Sequence, residues 1–311
     1  MEDVILRVNN LTKTYVIGNH KNATKAQKAI HKLHKRLESG GSEHDDELLR
    51  RAQQLFAEER YEDSYEAITG KHLKSRPKDR GVVVHALNGV DLAITKGELI
   101  AIMGPSGSGK STLLNMLGLL DEPTSGSLFI GGLNITRIKR RDLPKVRSSQ
   151  LGFVFQSFNL ITTLTALENV MLPLRYAGLS KKRQRQMAKK ALAQVGLADR
   201  FDHKPNELSG GQQQRVAIAR SIVNHPSIIL ADELTGELDS KMTDEVMHLI
   251  HELNQQGQTF IIVTHNPEVA RQCRSIVYMR DGKIEHVQSD VAHMPIRDQR
   301  IAPAGLHLLR L

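Results

Sequence analysis

The sequence is poor in residues that would commit it to several common classes of protein. It has a single cysteine, Cys273, so no internal disulfide forms, and the chain suits a reducing compartment. It has no tryptophan and only 4% aromatic residues, which leaves little for stacking nucleic-acid bases. No apolar run approaches the ~18 residues that span a bilayer. The longest candidate, Leu113 to Leu120, is broken by Asn115 and Gly118. The opening Met1-Glu2-Asp3-Val4 lacks the basic-then-apolar profile of a secretory signal. What remains is a chain of 311 residues, 40% of them hydrophobic, enough for a substantial core. A formal charge of +9 fits nucleic acid, an anionic membrane surface, or neither.

Val4 to Val8 reads as a short strand. From Asn19 to Arg80 the texture changes: 14 Lys+Arg stand against 11 Asp+Glu, and apolar residues recur at helical spacing (Ala26, Ile30, Leu33, Leu37; then Leu48, Ala52, Leu55, Phe56). Gly40-Gly41 separates the two runs and Ser42 is placed to cap the second. This predicts a hairpin of two amphipathic helices, with Tyr61, Tyr65 and Ile68 continuing the stripe and residues 71–80 forming a basic return linker. His31 and His34, with His44 nearby, lack the company of a metal site and read as a solvated helix face. Beyond Arg80 the chain alternates. Apolar runs at Leu99–Met103, Leu151–Phe155, Ser227–Ala231, Phe260–Val263 and Ile276–Met279 are separated by helical patterns at Lys110–Leu120, Gln212–Val223 and Lys241–Gln255. Such alternation predicts an α/β core with a parallel sheet. The mostly helical stretch from Gln156 to Leu208 predicts a helical subdomain inserted in it.

The first predicted core strand runs into Gly104-Pro105-Ser106-Gly107-Ser108-Gly109-Lys110-Ser111-Thr112, a match to G-x-x-x-x-G-K-[ST]. Glycines at 104, 107 and 109 let backbone N–H groups turn inward around phosphate oxygens. Lys110 supplies charge for the outer phosphates, Ser111 a hydroxyl for Mg²⁺, and the helix that follows aims its positive end at the same anion. Farther on, an apolar strand ends in Asp232-Glu233. Beside a phosphate loop, Asp232 would reach the metal shell and Glu233 would polarise a water; paired acids in that place also commonly cap a helix. This strand is expected to lie next to the one that carries the loop. Leu208-Ser209-Gly210-Gly211-Gln212 forms a second surface rich in N–H groups. Two phosphate cradles around one nucleotide are most economically reconciled by a head-to-tail dimer, in which each Ser209 loop covers the phosphates on its partner's Lys110.

Taken together these segments resemble the ATP-binding-cassette ATPases. Gly104–Thr112 resembles the Walker A loop, Gln156 the Q-loop, Leu208–Gln212 the signature, Ile228–Glu233 the Walker B strand, Asp239 in Glu237-Leu238-Asp239-Ser240 the D-loop, and His265 in Val263-Thr264-His265 the switch histidine. Tyr15 stands where the family stacks an aromatic on adenine. The resemblance implies a P-loop NTPase core with an antiparallel β subdomain and a helical signature subdomain, here carrying a helical insertion at 19–80 within residues 1–288 and followed by a tail at 289–311. It implies ATP and Mg²⁺ as ligands. Glu233, His265, Gln156 and Lys110 would be catalytic. Tyr15, Gly104, Ser106, Gly107, Gly109, Lys110, Ser111, Thr112, Ser209, Gly210, Gly211, Gln212 and Asp239 would bind nucleotide, and Ser111, Gln156 and Asp232 the metal. Leu164–Val170 and Gln212–Arg220 resemble the macrolide-export and lipoprotein-release branch, which implies a homodimer in the ATP-bound state, peripheral on the cytoplasmic face of the inner membrane beside an integral permease.

One departure from the family pattern stands out: Leu234 follows Glu233 where proline is usual, which predicts a less constrained link. Basic runs at Arg137–Arg147 and Lys181–Lys190 are not interleaved with aromatics, so no nucleic-acid partner is expected. Two alternatives to a transporter subunit remain: a soluble ABC-type ATPase acting on DNA or ribosomes, and a nucleotide switch uncoupled from any permease. Neither the long coiled coil of the chromosome-maintenance members nor a second cassette is present in the sequence.

Overall fold

The computed structural model describes residues 3–19, 21–38, 40–73 and 80–289. Most of the expected linker (74–79) and nearly all of the expected tail (290–311) therefore lie outside the described residues.

The first strand is far longer than its apolar start suggests. β1 runs Val4–Asn19 because it is paired on both sides, by the equally long β2 (Arg80–Thr95) and by β4 (Ser125–Ile130). Between β1 and β2 lie three helices, not two: α1 (Lys21–Glu38), α2 (Glu43–Ala57) and α3 (Tyr61–Thr69). The second run does not continue through Tyr61 because Glu59 adopts a left-handed φ of 60°, which turns the chain. Ser42 caps α2 in a reciprocal box with Asp45. Ala23, Ala26, Ile30, Leu33, Leu49, Ala52, Phe56 and Tyr61 close on one another as a small core of their own, with Val16 and Val83 of the hairpin packed against it.

The remaining strands are β3 (Leu99–Met103), β5 (Leu133–Asn134), β6 (Leu151–Val154), β7 (Ile228–Asp232), β8 (Thr259–Val263), β9 (Ser275–Arg280) and β10 (Lys283–Ser289). The helices are α4 (Lys110–Leu117), α5 (Leu143–Gln150), α6 (Ala166–Tyr176), α7 (Lys181–Gln194), α8 (Gly210–Ile222), α9 (Ser240–Gln255) and α10 (Pro267–Arg271). They make two sheets. An antiparallel one has the order β2-β1-β4-β5, and a six-stranded one has the order β10-β9-β3-β8-β7-β6, in which all but the β9–β10 pairing is parallel. The α/β core, the antiparallel sheet and the helical stretch (α6, α7) are all present. β7 does not lie next to β3, however; β8 runs between them.

Alternation along the parallel strands divides the interior in two. Leu99, Ala101, Ile229, Ala231, Phe260 and Ile262 face α6 to α9, while Ile100, Ile102, Ile228, Leu230, Ile261 and Val263 face α4 and the antiparallel sheet. α4 stops at Leu117, earlier than its apolar run, since Leu119 takes a positive φ of 55°.

Candidate active site

Because β3, β8 and β7 are neighbours, the loops after their C-terminal ends meet at one edge of the sheet, the usual place for a ligand in an open α/β fold. The first loop holds Gly104 to Gly109, the second ends in His265 and the third begins at Glu233. All three line a single cleft of about 570 Å³ with Ser106, Gly107, Lys110, Ser111 and Thr112.

The glycines of the first loop are required by shape. A Cβ on Gly104, at a φ of 155°, would stand 2.2 Å from the Met279 carbonyl oxygen, and one on Gly109, at 100°, would stand 2.5 Å from that of Ala86. Lys110 opens α4 and its Nζ donates to the carbonyls of Gly104 and Pro105, both at 2.8 Å. Ser108 Oγ is buried beneath the loop without a hydrogen-bond partner. At the far side Glu233 adopts a left-handed φ of 46°, held by its N–H donating to the Val263 carbonyl and its carbonyl accepting from Gly236, both at 2.9 Å. That pose puts Glu233 Oε1 2.8 Å from His265 Nδ1. Asp232 is half-buried at the end of β7. Burial, and secondarily the Glu233 charge, push its pKa up against the opposing effect of Lys110.

Leu234 does not loosen this link. Its side chain is buried in the helix-facing core and its carbonyl accepts from the buried Gln214 amide at 2.6 Å, so packing holds what proline would hold in the family pattern.

Other expected site residues stand elsewhere. Gln156 lies against Gly236, whose Cβ would meet its amide at 2.9 Å, and is not among the residues lining the cleft. Ser209 caps α8 in a reciprocal box with Gln212, so the signature glycines start that helix as expected, and Asp239 caps α9. Ser209, Gly210, Gly211, Gln212 and Asp239 do not line the cleft of their own chain. Tyr15 does not line it either. Its hydroxyl donates to Asp121 at 3.0 Å, and burial together with that acid holds its pKa up at about 12. The cleft is instead walled on that side by Val84, His85 and Ala86 of β2 and by Asp281 and Gly282. Sequence reasoning missed these five because no phosphate-loop motif contains them; the Asp281-Gly282 turn between two apolar strands was the available hint.

His31 and His34 are not on a solvated face: His34 Nε2 accepts from the Gly126 N–H at 2.9 Å and His31 lies 3.7 Å from Glu122, both turned toward the cassette. Among the described residues no cluster could hold a metal through His, Cys, Asp and Glu alone, and no helix is long and apolar enough to cross a membrane.

Comparison with known proteins identifies the family and the fold. The ABC transporter family profile matches residues 87–236. An uncharacterized ABC transporter ATP-binding protein of Thermotoga maritima is 52% identical over 207 residues, which cover 67% of this chain and 88% of that one. The chain belongs to the ABC transporter ATP-binding family. It is an ATPase cassette, an α/β fold with a parallel and an antiparallel sheet. Macrolide export ATP-binding/permease protein MacB of Bdellovibrio bacteriovorus is 50% identical over 204 residues, 65% of this chain but only 31% of that longer protein. The dimeric cassette MJ0796 of Methanocaldococcus jannaschii, solved in a post-hydrolysis state with ADP and Pi, superposes with a TM-score of 0.64 at 37% identity, over 91% of this chain and 98% of that one.

Proposed function

We propose that this cassette is the separate, peripheral ATPase subunit of an exporter or an envelope-working machine. It would sit on the cytoplasmic face of the inner membrane against an integral permease and close as a head-to-tail homodimer on ATP. The observation that carries the reading is the split between two sets of site residues: the phosphate loop, Glu233 and His265 share one cleft, whereas Ser209 to Gln212 begin a helix outside it. A second copy brings the signature of one chain over the phosphates of the other. The names of the MacB relatives, which join ATP-binding and permease parts in one protein, support the permease partner.

The chemistry follows from the residues present. Loop N–H groups and the α4 terminus would hold the phosphate chain, with Lys110 leaving the Gly104 and Pro105 carbonyls for the outer phosphates. Ser108 Oγ, buried and unpartnered, fits a loop built to close around an anion. Ser111 and Asp232 would offer oxygen donors suited to Mg²⁺, and Gln156, which lies beside Gly236 outside the cleft, would join them only by moving in. Magnesium, when bound, would neutralise charge developing on the phosphates. Glu233 would accept the proton of the attacking water, and His265, 2.8 Å from it, would fix the carboxylate and face the terminal phosphate. Gln156, beside Gly236 in the Glu233 loop, would carry the state of that loop toward the permease.

Mixing two inactive variants tests the shared site. Lys110→Ala and Ser209→Arg are each expected to abolish ATP hydrolysis. Their mixture regains it, because one of the two sites in a mixed dimer is intact. No recovery on mixing rules out the head-to-tail arrangement.

A further inference from the structure

His85 is a residue of two cavities. It lines the nucleotide cleft with Lys110 and Gly107, and it also lines a second hollow of about 440 Å³ beneath the inserted helices, with Gln53, Phe56 and Ala57 of α2. Two contacts set its imidazole from the side away from the phosphate loop. Thr14 Oγ1 lies 3.2 Å from Nδ1, and the Phe56 ring stands edge-on to the imidazole at 6.1 Å and 90°. Phe56 in turn is a buried member of the insertion's own core, packed against Tyr61 at 5.0 Å. An unbroken chain of ring contacts thus runs from the core of α1, α2 and α3 to the wall of the cleft.

The wall position decides what His85 meets. Ala86, the next residue, has its carbonyl against Gly109, where the loop passes into α4, so His85 borders the cleft beside the junction of the phosphate loop with its helix. Burial lowers the imidazole pKa, which favours a neutral ring; Nδ1 lies near Thr14, and a neutral imidazole keeps a second nitrogen with hydrogen-bonding capacity.

We propose that His85 is a positioning residue for the sugar and inner phosphate of the bound nucleotide, and that Phe56 sets its pose, so that the helical insertion tunes nucleotide affinity from outside the phosphate loop. This rests on the cleft being the nucleotide site. The effect does not require the insertion to move; it requires only that the ring be held against rotation, which lowers the ordering cost of binding.

Calorimetric titration of the full chain with ADP and magnesium tests the idea. His85→Ala is expected to weaken ADP about fivefold, the scale of one neutral hydrogen bond, and His85→Gln to recover part of the loss. Phe56→Leu and Thr14→Val each remove one support of the ring; each is expected to weaken ADP about two- to threefold in the native background and to add nothing once His85 is alanine. Should Phe56→Leu fail to fold, the Thr14→Val pair of measurements decides alone. Hydrogen exchange supplies a readout that a merely structural role would not move: ADP should protect α2 amides in the native chain and not in His85→Ala. Unchanged ADP affinity in His85→Ala, or support variants that lose the same factor in both backgrounds, overturns the proposal. Lys110→Ala separates it from the underlying reading. If that variant binds ADP like the native chain, the cleft is not the nucleotide site and both readings fall; if it loses ADP while His85→Ala does not, only the role of His85 falls.

Discussion

The cassette and its insertion are built on different logics. In the cassette, the sheet edge carries local arrangements that packing alone does not favour: glycines that a methyl group would drive into backbone, a glutamate in a left-handed pose, a buried hydroxyl without a partner. In α1 to α3 the pattern is set mainly by the helix period, an apolar stripe closing on a small core, with a few side chains such as His34 and Phe56 reaching the cassette. The first kind of region accepts locally unfavourable geometry; the second chiefly buries its own apolar stripe. Changes in the two should therefore fail differently: an isosteric side-chain change at the sheet edge in activity at constant stability, a truncation in the small core in stability with modest effects on chemistry.

The largest effect should come from Glu233→Gln. The side chain keeps its size and its backbone pose, so thermal stability and nucleotide binding are expected to hold, while turnover falls by about 10²- to 10⁴-fold, the range for losing a general base. Steady-state phosphate release beside a melting curve measures both. A variant that melts early and still turns over would erase the distinction between the regions, and with it the role of Glu233.

Next is Phe56→Ala in the insertion. It removes a ring from a core of eight buried hydrophobic residues among those described, at a cost of ~3–5 kcal/mol. That exceeds what so small a unit holds by itself, so α1 to α3 should lose amide protection while β3, β7 and β8 keep theirs. ATP hydrolysis should persist at reduced nucleotide affinity. Global unfolding would mean that the two regions are one cooperative unit.

How much of this was legible beforehand follows the same divide. The phosphate loop, the paired acids and the signature could be picked out as strings, because each is a contiguous stretch with a recognisable run of residue types. What escaped reading were properties of neighbours in space. β8 between β3 and β7 is set by sheet order, which no single strand encodes. β1 extends to Asn19 because β2 pairs with it along its length, across an insertion that hides the partner. His85 came from no motif and is visible only because β2 passes the loop. His31 and His34 read as solvated on spacing, yet α1 lays them against the cassette, where Gly126 and Glu122 meet them. The third helix was lost to one left-handed residue, Glu59.

A smaller change sharpens the cassette side. Gly109→Ala forces an L side chain into a φ of 100° and sets its methyl 2.5 Å from the Ala86 carbonyl, which cannot swing away as a side-chain end would. A loss of ~2 kcal/mol is expected from the backbone alone. Nucleotide binding should suffer more than that figure implies, because the same displacement moves Ala86 and the neighbouring His85 at the wall of the cleft. Denaturant titration read together with ADP affinity separates the two losses; equal losses in both would make the glycine a folding residue and nothing more.

The smallest effect turns the sequence's lone cysteine into a reporter. Cys273 is fully buried in the helix-facing core of the cassette, and burial pushes its thiol pKa up to about 12, so at neutral pH it presents almost no thiolate. An aromatic disulfide reagent should therefore leave the native chain unmodified over hours and react only as the cassette itself opens. In Phe56→Ala the labelling rate should stay close to native even as the insertion loses protection, since no residue of that small core belongs to the cluster around Cys273. In Gly109→Ala it should rise in step with the lost stability, because the strain there falls on the cassette's own sheet. A thiol that becomes reactive when Phe56 is truncated would show that the inserted helices hold the cassette closed.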